Sequence, residues 1–350
     1  MKQFTVLSFL FLLFSISGIA QETVVTGVPS PCGMLMDGNN LYIAELASGD
    51  IGVLDTTDSS PSVTSVVSGL DEPYALALFG NDLYISDRAA AKIFKIDITV
   101  ENPSLVEVAS TVESPYGIAV SGNMLYVALN TGTIISLDIS DSNPTPTDVV
   151  TGLNGPDALL SDGNILYIGE EFGQRISKID LNEPTPTVVE VATGILSPRA
   201  MTLRGNEIYI AETVVDRVSK INITDSNPTP ELVVSGVNTP NGLAADGNIL
   251  YIAEILIGRI SKFEIEPLSI NEFNNHANMI TLYPNPATTS IMLSGLEGER
   301  EYQILSLLGE KLVENGITYD SKPIDVQQLA TGVYFLKLQG DPRILPFIKE

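Results

Sequence analysis

The sequence has very few of the residues on which catalysis, metal binding and covalent cross-linking usually depend. It contains one cysteine, Cys32, one histidine, His276, and no tryptophan. One cysteine cannot form an internal disulfide, so the folded state must depend on buried apolar surface. One histidine leaves no multi-histidine metal site and argues against a Ser-His-Asp triad. With no histidine available to activate it, we expect Cys32 to be a small buried residue rather than a nucleophile.

Basic residues are also scarce, with 18 lysines and arginines against 43 aspartates and glutamates. The formal net charge of −25 argues against a nucleic-acid partner, because binding to nucleic acid depends on neutralising phosphates with basic side chains.

Long apolar runs are confined to the first twenty residues. Lys2 is followed by an apolar run from Phe4 to Ile16 and by the small residues Gly18 and Ala20. This pattern is typical of a secretory signal peptide, residues 1–20, cut after Ala20. The run is too short to cross ~30 Å of hydrocarbon comfortably. We therefore expect a secreted mature chain without a transmembrane segment.

The clearest positive feature of the sequence is a repeat of about 42 residues. Residues 162–170 read DGNILYIGE and residues 246–254 read DGNILYIAE. The tyrosine of this phrase occurs six times, at Tyr42, Tyr84, Tyr126, Tyr167, Tyr209 and Tyr251. A proline precedes each tyrosine by eleven residues, at Pro31, Pro73, Pro115, Pro156, Pro198 and Pro240. Each repeat has four short apolar runs separated by turn residues, which predicts four β-strands. Four strands in ~40–45 residues are typical of a propeller blade, so we predict an all-β fold with a six-bladed β-propeller.

Two further patterns predict how the ring is packed and closed. The second residue after each proline is always glycine or alanine, at Gly33, Ala75, Gly117, Ala158, Ala200 and Gly242. A larger side chain there would be overpacked where the innermost strands meet. Val24–Gly27 has the pattern of an outermost strand but no inner strands before it, and the sixth repeat lacks a fourth strand. We expect this N-terminal strand to complete the sixth blade and close the propeller.

The repeated phrase resembles the signature of a known group of propellers. Leu250–Glu254 followed by Gly258-Arg259-Ile260 is similar to the repeats of NHL and YWTD propellers, and the resemblance covers residues 22–266. It implies the six-bladed fold but no particular function, because one fold supports many functions.

A second module follows a polar linker, residues 267–279. Residues 280–350 no longer follow the repeat, and their strand patterns predict a small β-sandwich. Its spaced motifs are Leu282–Thr288, Leu308–Leu312, Ile324–Leu329, Thr331–Tyr334 and Phe347–Lys349. In this order they resemble the C-terminal sorting domain (type A) of the type IX secretion system. The resemblance implies that residues 280–350 engage the outer-membrane secretion machinery and that the protein passes through the periplasm to the cell surface or the medium. A C-terminal adhesion sandwich is the alternative.

Strand alternation places two rings of residues at one mouth of the propeller, which is the expected ligand site of such a ring. The residues that follow the prolines are Cys32, Tyr74, Tyr116, Asp157, Arg199 and Asn241. The residues that end the second strands are Glu45, Asp87, Leu129, Glu170, Glu212 and Glu254. We expect Glu45, Tyr74, Tyr116, Asp157, Arg199 and Asn241 to bind a ligand, although variation at an exposed loop would give the first ring the same appearance.

The other acidic residues of the second ring have a structural alternative. The third strands begin with Asp50, Lys92, Thr133, Arg175, Arg217 and Arg259. An acid and a base occur together in four blades and are absent together in the third. This predicts ion pairs within the blades, Asp87–Lys92, Glu170–Arg175, Glu212–Arg217 and Glu254–Arg259. Glu45 faces Asp50 and is left free for a ligand.

Asp157 and Asn241 also resemble metal-binding positions of the gluconolactonase/SMP-30 propellers. That resemblance implies a divalent metal such as calcium and lactonase activity. Tyr74 and Tyr116 stand where further metal ligands are needed, and the cationic Arg199 opposes a bound metal. The sequence therefore favours a secreted or surface-attached binding propeller with no assigned catalytic residue. A metal-dependent lactonase and a purely structural surface protein are the alternatives.

Overall fold

The computed structural model describes residues 21–265, 281–294, 296, 298–306, 311–338 and 344–350. They belong to two compact units that separate between Pro267 and Leu268. The expected signal peptide (1–20), the expected linker (267–279) with His276, and part of the Leu308–Leu312 motif lie outside the described residues. Among the described residues, no helix has the length and apolar character needed to span a bilayer.

The first unit contains six four-stranded antiparallel sheets. The chain begins with β1 (Glu22–Thr26). Blades one and two are β2 (Pro31–Asp37), β3 (Asn40–Glu45), β4 (Asp50–Asp55), β5 (Thr64–Ser68), β6 (Pro73–Phe79), β7 (Asp82–Asp87), β8 (Lys92–Asp97) and β9 (Val106–Ser110). Blades three and four are β10 (Pro115–Ser121), β11 (Met124–Leu129), β12 (Thr133–Asp138), β13 (Thr147–Thr151), β14 (Pro156–Asp162), β15 (Ile165–Glu170), β16 (Arg175–Asp180) and β17 (Val189–Thr193). Blades five and six are β18 (Pro198–Arg204), β19 (Glu207–Glu212), β20 (Arg217–Asn222), β21 (Glu231–Ser235), β22 (Pro240–Asp246), β23 (Ile249–Glu254) and β24 (Arg259–Glu264).

The core of the propeller lies between neighbouring blades. The second strands are buried on both faces; in β3, Leu41, Tyr42, Ile43 and Ala44 are all buried. Tyr126 of blade three packs in one cluster with apolar residues of blade four. Each repeated tyrosine therefore joins two sheets, which explains why the apolar runs of the sequence do not alternate with polar residues.

The small residues of the innermost strands lie against the backbone of the next blade. A Cβ on Gly33 would lie 2.5 Å from the carbonyl oxygen of Tyr74, and a Cβ on Gly117 would lie 2.3 Å from that of Asp157. At Gly242 the distance to the carbonyl oxygen of Cys32 would be 1.8 Å. This last contact joins blade six to blade one, so the predicted crowding is present where the ring closes.

The N-terminal strand closes the ring as predicted. β1 pairs antiparallel with β24, and the sheet order of blade six is β1-β24-β23-β22. The amide of Val28 also donates to the carbonyl of Gly258 at 3.0 Å. The edge of β24 that would otherwise be open is thereby covered. The predicted all-β fold with a six-bladed propeller is confirmed.

The second unit is a small sandwich of two sheets. Its strands are β25 (Thr281–Tyr283), β26 (Ser290–Ser294), β27 (Arg300–Ser306), β28 (Lys311–Thr318), β29 (Ile324–Asp325), β30 (Gly332–Leu338) and β31 (Ile344–Lys349). The sheet orders are β25-β26-β29 and β28-β27-β30-β31. Ile291 from the first sheet and Ile304, Leu336 and Phe347 from the second share one buried core.

Candidate functional site

The mouth face is the face of the propeller at which the innermost strands begin and the second strands end. Here the hydroxyl of Tyr74 lies 2.9 Å from Asp157 Oδ1 and 3.3 Å from Asn241 Oδ1. These residues begin the innermost strands of blades two, four and six. Because the contacts join alternate blades, they cross the axis of the ring. The residues after the prolines therefore meet at the centre, as their position in the repeat suggested.

An arginine and two aromatic rings form the side of this centre nearest blades two and three. The rings of Tyr74 and Tyr116 meet edge to face with centroids 4.9 Å apart. The guanidinium of Arg88 lies 5.3 Å from the Tyr74 centroid and 5.2 Å from the Tyr116 centroid. Its charge is balanced by Glu72, whose Oε2 lies 2.8 Å from Nη2. Cation–π attraction and the ion pair together hold Arg88 in place.

Arg199 forms the opposite side of the centre. Its Nη2 donates to Oε1 of Glu171 at 2.5 Å. Its Nε lies 3.9 Å from Oδ2 of Asp157, which is too long for a hydrogen bond. Nε of Arg199 and Oδ2 of Asp157 are both buried without a hydrogen-bond partner. A donor and an acceptor that face each other unsatisfied are costly unless a further polar group bridges them.

Burial controls the ionisation of two groups in this centre. Desolvation raises the pKa of Asp157 from its ordinary 3.8 to about 7, although Arg199 and the hydrogen bond from Tyr74 oppose the change. Desolvation also raises the pKa of the Cys32 thiol to about 12, with smaller opposing effects from Arg88 and Arg199. Cys32 is therefore a protonated thiol at neutral pH, which agrees with the expectation of a small buried residue.

Arg88 and Glu171 belong to the site but were missed in the sequence. Both stand one residue beyond the end of a second strand. The corresponding residues of the six blades are Leu46, Arg88, Asn130, Glu171, Thr213 and Ile255. Two opposite charges in this otherwise uncharged set were the available signal. We use the name central cluster for Tyr74, Tyr116, Asp157, Arg199 and Asn241 together with Arg88 and Glu171.

Glu45 does not join the central cluster, and the expectation of a ligand-facing Glu45 is corrected. Its side chain is buried, and Oε2 accepts a hydrogen bond from Ser48 at 3.1 Å. Oε1 lies 2.4 Å from where a Cβ on Gly52 would stand, so the carboxylate lies over the third strand of its own blade. Glu45 thus points away from the axis even though Asp50 offers no positive charge. Burial, only partly opposed by the Ser48 hydrogen bond, raises its pKa.

Three of the four expected ion pairs are present in the structure, and all three involve arginine. The carboxylate of Glu212, which is fully buried, accepts hydrogen bonds from Nε and Nη2 of Arg217, both at 2.8 Å. Arg175 binds Glu170 and Arg259 binds Glu254 with the same two-pronged geometry.

Each of these three glutamates also accepts a hydrogen bond from a backbone amide in the loop that precedes its own blade. The donors are Asn154, Leu196 and Asn238, each at 2.8 Å. The carboxylates therefore connect the inner loop of a blade to its third strand, which is a structural role.

The expected Asp87–Lys92 pair is wrong. Lys92 Nζ lies 2.7 Å from Oε2 of Glu107 on the neighbouring outer strand. Asp87 instead accepts the backbone amides of Asp71, Glu72 and Ala90. Aspartate is one methylene shorter than glutamate, so its carboxylate stays among the loop amides and does not extend to the third strand.

The residues at the centre do not fit a divalent metal of the kind that the gluconolactonase/SMP-30 resemblance implies. Oδ1 of Asp157 and Oδ1 of Asn241 both lie within hydrogen-bond distance of the hydroxyl of Tyr74, and the guanidinium of Arg199 faces Oδ2 of Asp157. Among the described residues, no group of three or more His, Cys, Asp and Glu side chains is arranged to hold a metal ion. A cation beside two oxygen ligands disfavours a second cation. The arrangement is suited instead to binding a polar group through hydrogen bonds and the edge of an aromatic ring.

Comparison with known proteins identifies the second unit. Residues 281–344 match the family described as "Secretion system C-terminal sorting domain". The chain therefore carries a sorting domain at its C-terminal end, as its spaced motifs predicted. No curated protein matches the sequence significantly.

Solved structures resemble the chain in fold. Virginiamycin B lyase from Staphylococcus aureus has a TM-score of 0.53 and 16% identity, over 71% of this chain and 99% of that chain. A streptogramin B lyase structure has a TM-score of 0.52 and 14% identity, over 78% of this chain and 93% of that chain. A nidogen/laminin complex has a TM-score of 0.51 and 17% identity, over 57% of this chain and 79% of that chain. At these identities the likeness shows the propeller fold alone.

Proposed function

We propose that this protein is a β-propeller exported by a type IX secretion system, and that it binds a ligand through the mouth face of the propeller. The sorting-domain match over residues 281–344 supports export. The central cluster supports binding, because it gathers charged and aromatic side chains at the axis and leaves one buried donor and one buried acceptor unsatisfied.

Export can be tested by truncation in a host that has the secretion system. A chain that ends at Glu266 keeps all strands of the propeller and lacks the second unit. It should fold and accumulate in the periplasm, whereas the full chain reaches the surface or the medium. Fractionation with an antibody against the propeller gives the measurement, and protease resistance checks its fold. Appearance of the truncated chain outside the cell would refute the assignment.

Binding at the centre can be tested by thermal shift of the full chain against monosaccharides, sugar acids and short peptides. A compound that occupies the central cluster should raise the melting temperature of the parent but not that of Arg199→Met, which removes the cation beside Asp157. Leu232→Ser on outer strand β21 serves as the control and should respond as the parent does. The proposal fails if no compound shifts the parent, or if Arg199→Met responds equally.

A further inference from the structure

The loops between the second and third strands differ between the two halves of the ring. The second residue after each second strand is Ala47, Ala89, Thr131, Phe172, Val214 and Leu256 in blades one to six. It is small in the first three blades and large and apolar in the last three. Blades five and six each add another exposed apolar residue, Val215 and Ile257. Since blades four, five and six are consecutive, these side chains follow one arc of the mouth face.

The large side chains of this arc are highly exposed. Leu256 is 77% exposed, Val214 67% and Phe172 61%, while most apolar residues of the propeller are buried. The short 3-10 helices Thr213–Val215 and Ile255–Ile257 hold four of these residues in ordered loops. The ring of Phe172 lies partly over Gly155 of its own blade. It nevertheless remains largely exposed, and the same loop position is occupied by alanine or threonine in the other half of the ring. We call Phe172, Val214, Val215, Leu256 and Ile257 the apolar arc.

The charge left unbalanced on this face is negative. Each of the six basic side chains at the mouth-face ends of the described strands forms an ion pair with an acidic side chain: Arg88, Lys92, Arg175, Arg199, Arg217 and Arg259. Among the described residues, the exposed carboxylates of Asp71, Glu113 and Asp216 on the same face have no basic partner, and Asp71 and Glu113 lie in the loops before blades two and three. Asp216 directly follows Val215, so an unbalanced negative charge adjoins the apolar arc. The net charge of −25 gives the whole molecule the same sign.

We propose that the apolar arc docks a basic peptide segment of a protein partner, one that carries lysine or arginine together with large apolar side chains. The apolar side chains of the segment bury the arc, and a cation of the segment lies near the carboxylate of Asp216. Burial of large apolar side chains supplies the affinity, and complementary charge selects a basic partner over an acidic one. This inference rests on the proposed binding role of the mouth face and names the class of partner.

The test uses the full chain and a fluorescent peptide of repeated Lys-Leu-Ser triplets, with fluorescence anisotropy as the readout. Leu256→Ser should weaken binding about tenfold, because it removes an apolar contact of the arc. The matched control is Leu232→Ser, since Leu232 is 62% exposed but lies on outer strand β21, and it should leave the affinity within about twofold of the parent. Both residues are exposed, so neither substitution should impair folding.

Two further peptides separate the apolar contribution from the charge. Glu-Leu-Ser and Lys-Ser-Ser repeats should each bind far more weakly than Lys-Leu-Ser. Equal losses at Leu256→Ser and Leu232→Ser, equal binding of the acidic peptide, or no binding of Lys-Leu-Ser would overturn the inference. If Arg199→Met loses binding and Leu256→Ser does not, the peptide binds at the central cluster. This result would overturn the inference that the peptide docks on the apolar arc, and it would leave the proposed function intact.

Discussion

Asp157→Asn should change how the stability of the propeller depends on pH. Asp157 is fully buried at the centre of the ring, and desolvation raises its pKa from an ordinary 3.8 to about 7. Between these two values the folded protein holds a proton that the unfolded chain has released. The free energy of unfolding contributed by this residue therefore falls as the pH rises from about 4 to about 7. A displacement of about 3 pKa units corresponds to about 4 kcal/mol at higher pH.

Asparagine removes this dependence without removing the contact across the axis. Its side-chain oxygen can still accept the hydrogen bond from Tyr74, and Arg199 keeps Glu171 as its partner. At about pH 5 the folded parent keeps the proton of Asp157 while the unfolded chain has already released it, so part of the loss has occurred. Between about pH 5 and about pH 8 the difference in the free energy of unfolding should shift further in favour of the variant, by about 3 kcal/mol, because about 2 pKa units of the displacement remain. Urea unfolding of both proteins at a series of pH values measures the difference.

Tyr74→Phe serves as a second variant, because it should increase the pH dependence that Asp157→Asn removes. The hydrogen bond from Tyr74 lowers the pKa of Asp157, so its loss should raise that pKa and move the pH-dependent range upward. Only differences from the parent enter the comparison, so other titrating groups cancel. If the difference between Asp157→Asn and the parent is the same at about pH 5 and about pH 8, burial does not control this carboxyl and the reasoning is refuted.

The fold could be predicted because its determinants are local and occur six times. The tyrosine phrase, the proline and the turn residues recur at a nearly constant interval. A departure from the pattern in one repeat therefore does not hide the pattern that the other five share. The glycine or alanine after the proline was predictable for the same reason, and Gly242 shows the contact that requires it. The N-terminal closure could be predicted because one outer-strand pattern precedes the first repeat and the sixth repeat lacks an outer strand of its own.

The central cluster could be predicted only in part. Residues that begin the innermost strands must lie at the axis whatever their type, so Tyr74, Asp157 and Asn241 were placed correctly by position. Strand alternation gives no direction for a side chain that ends a strand and enters a loop. Glu45 turns toward its own third strand, while Arg88, one residue beyond its strand, turns to the centre.

Side-chain length explains why the predicted ion pair between Asp87 and Lys92 is wrong. The expected ion pairs joined an acidic residue at the end of a second strand to a basic residue at the start of the third strand. This expectation treated aspartate and lysine as equivalent to glutamate and arginine. The three arginine pairs depend on a carboxylate that extends to a planar guanidinium with two parallel donors. Asp87 is too short to extend that far and finds loop amides instead. Lysine has a single charged nitrogen on a flexible stem, and Lys92 takes the exposed Glu107.

Two further predictions concern the closure of the ring and the ion pairs within the blades. Deletion of Glu22–Val28 should lower the melting temperature strongly and cost at least about 3 kcal/mol, because it removes β1 from β24 and reopens blade six; an unchanged melting temperature would contradict the closure. In the pair of Glu212 and Arg217, Arg217→Met leaves the buried Glu212 carboxylate without two hydrogen bonds of 2.8 Å, and Glu212→Gln removes the negative charge and one of the two acceptors of Arg217. The double variant should therefore cost less than the sum of the single variants, with a coupling of about 0.5–3 kcal/mol in urea unfolding. Asp87→Asn and Lys92→Met form the matched control and should be additive, because these two side chains bond to different partners. Additivity at the arginine pair, or equal coupling in the control, would show that the carboxylate does not hold the third strand through its arginine.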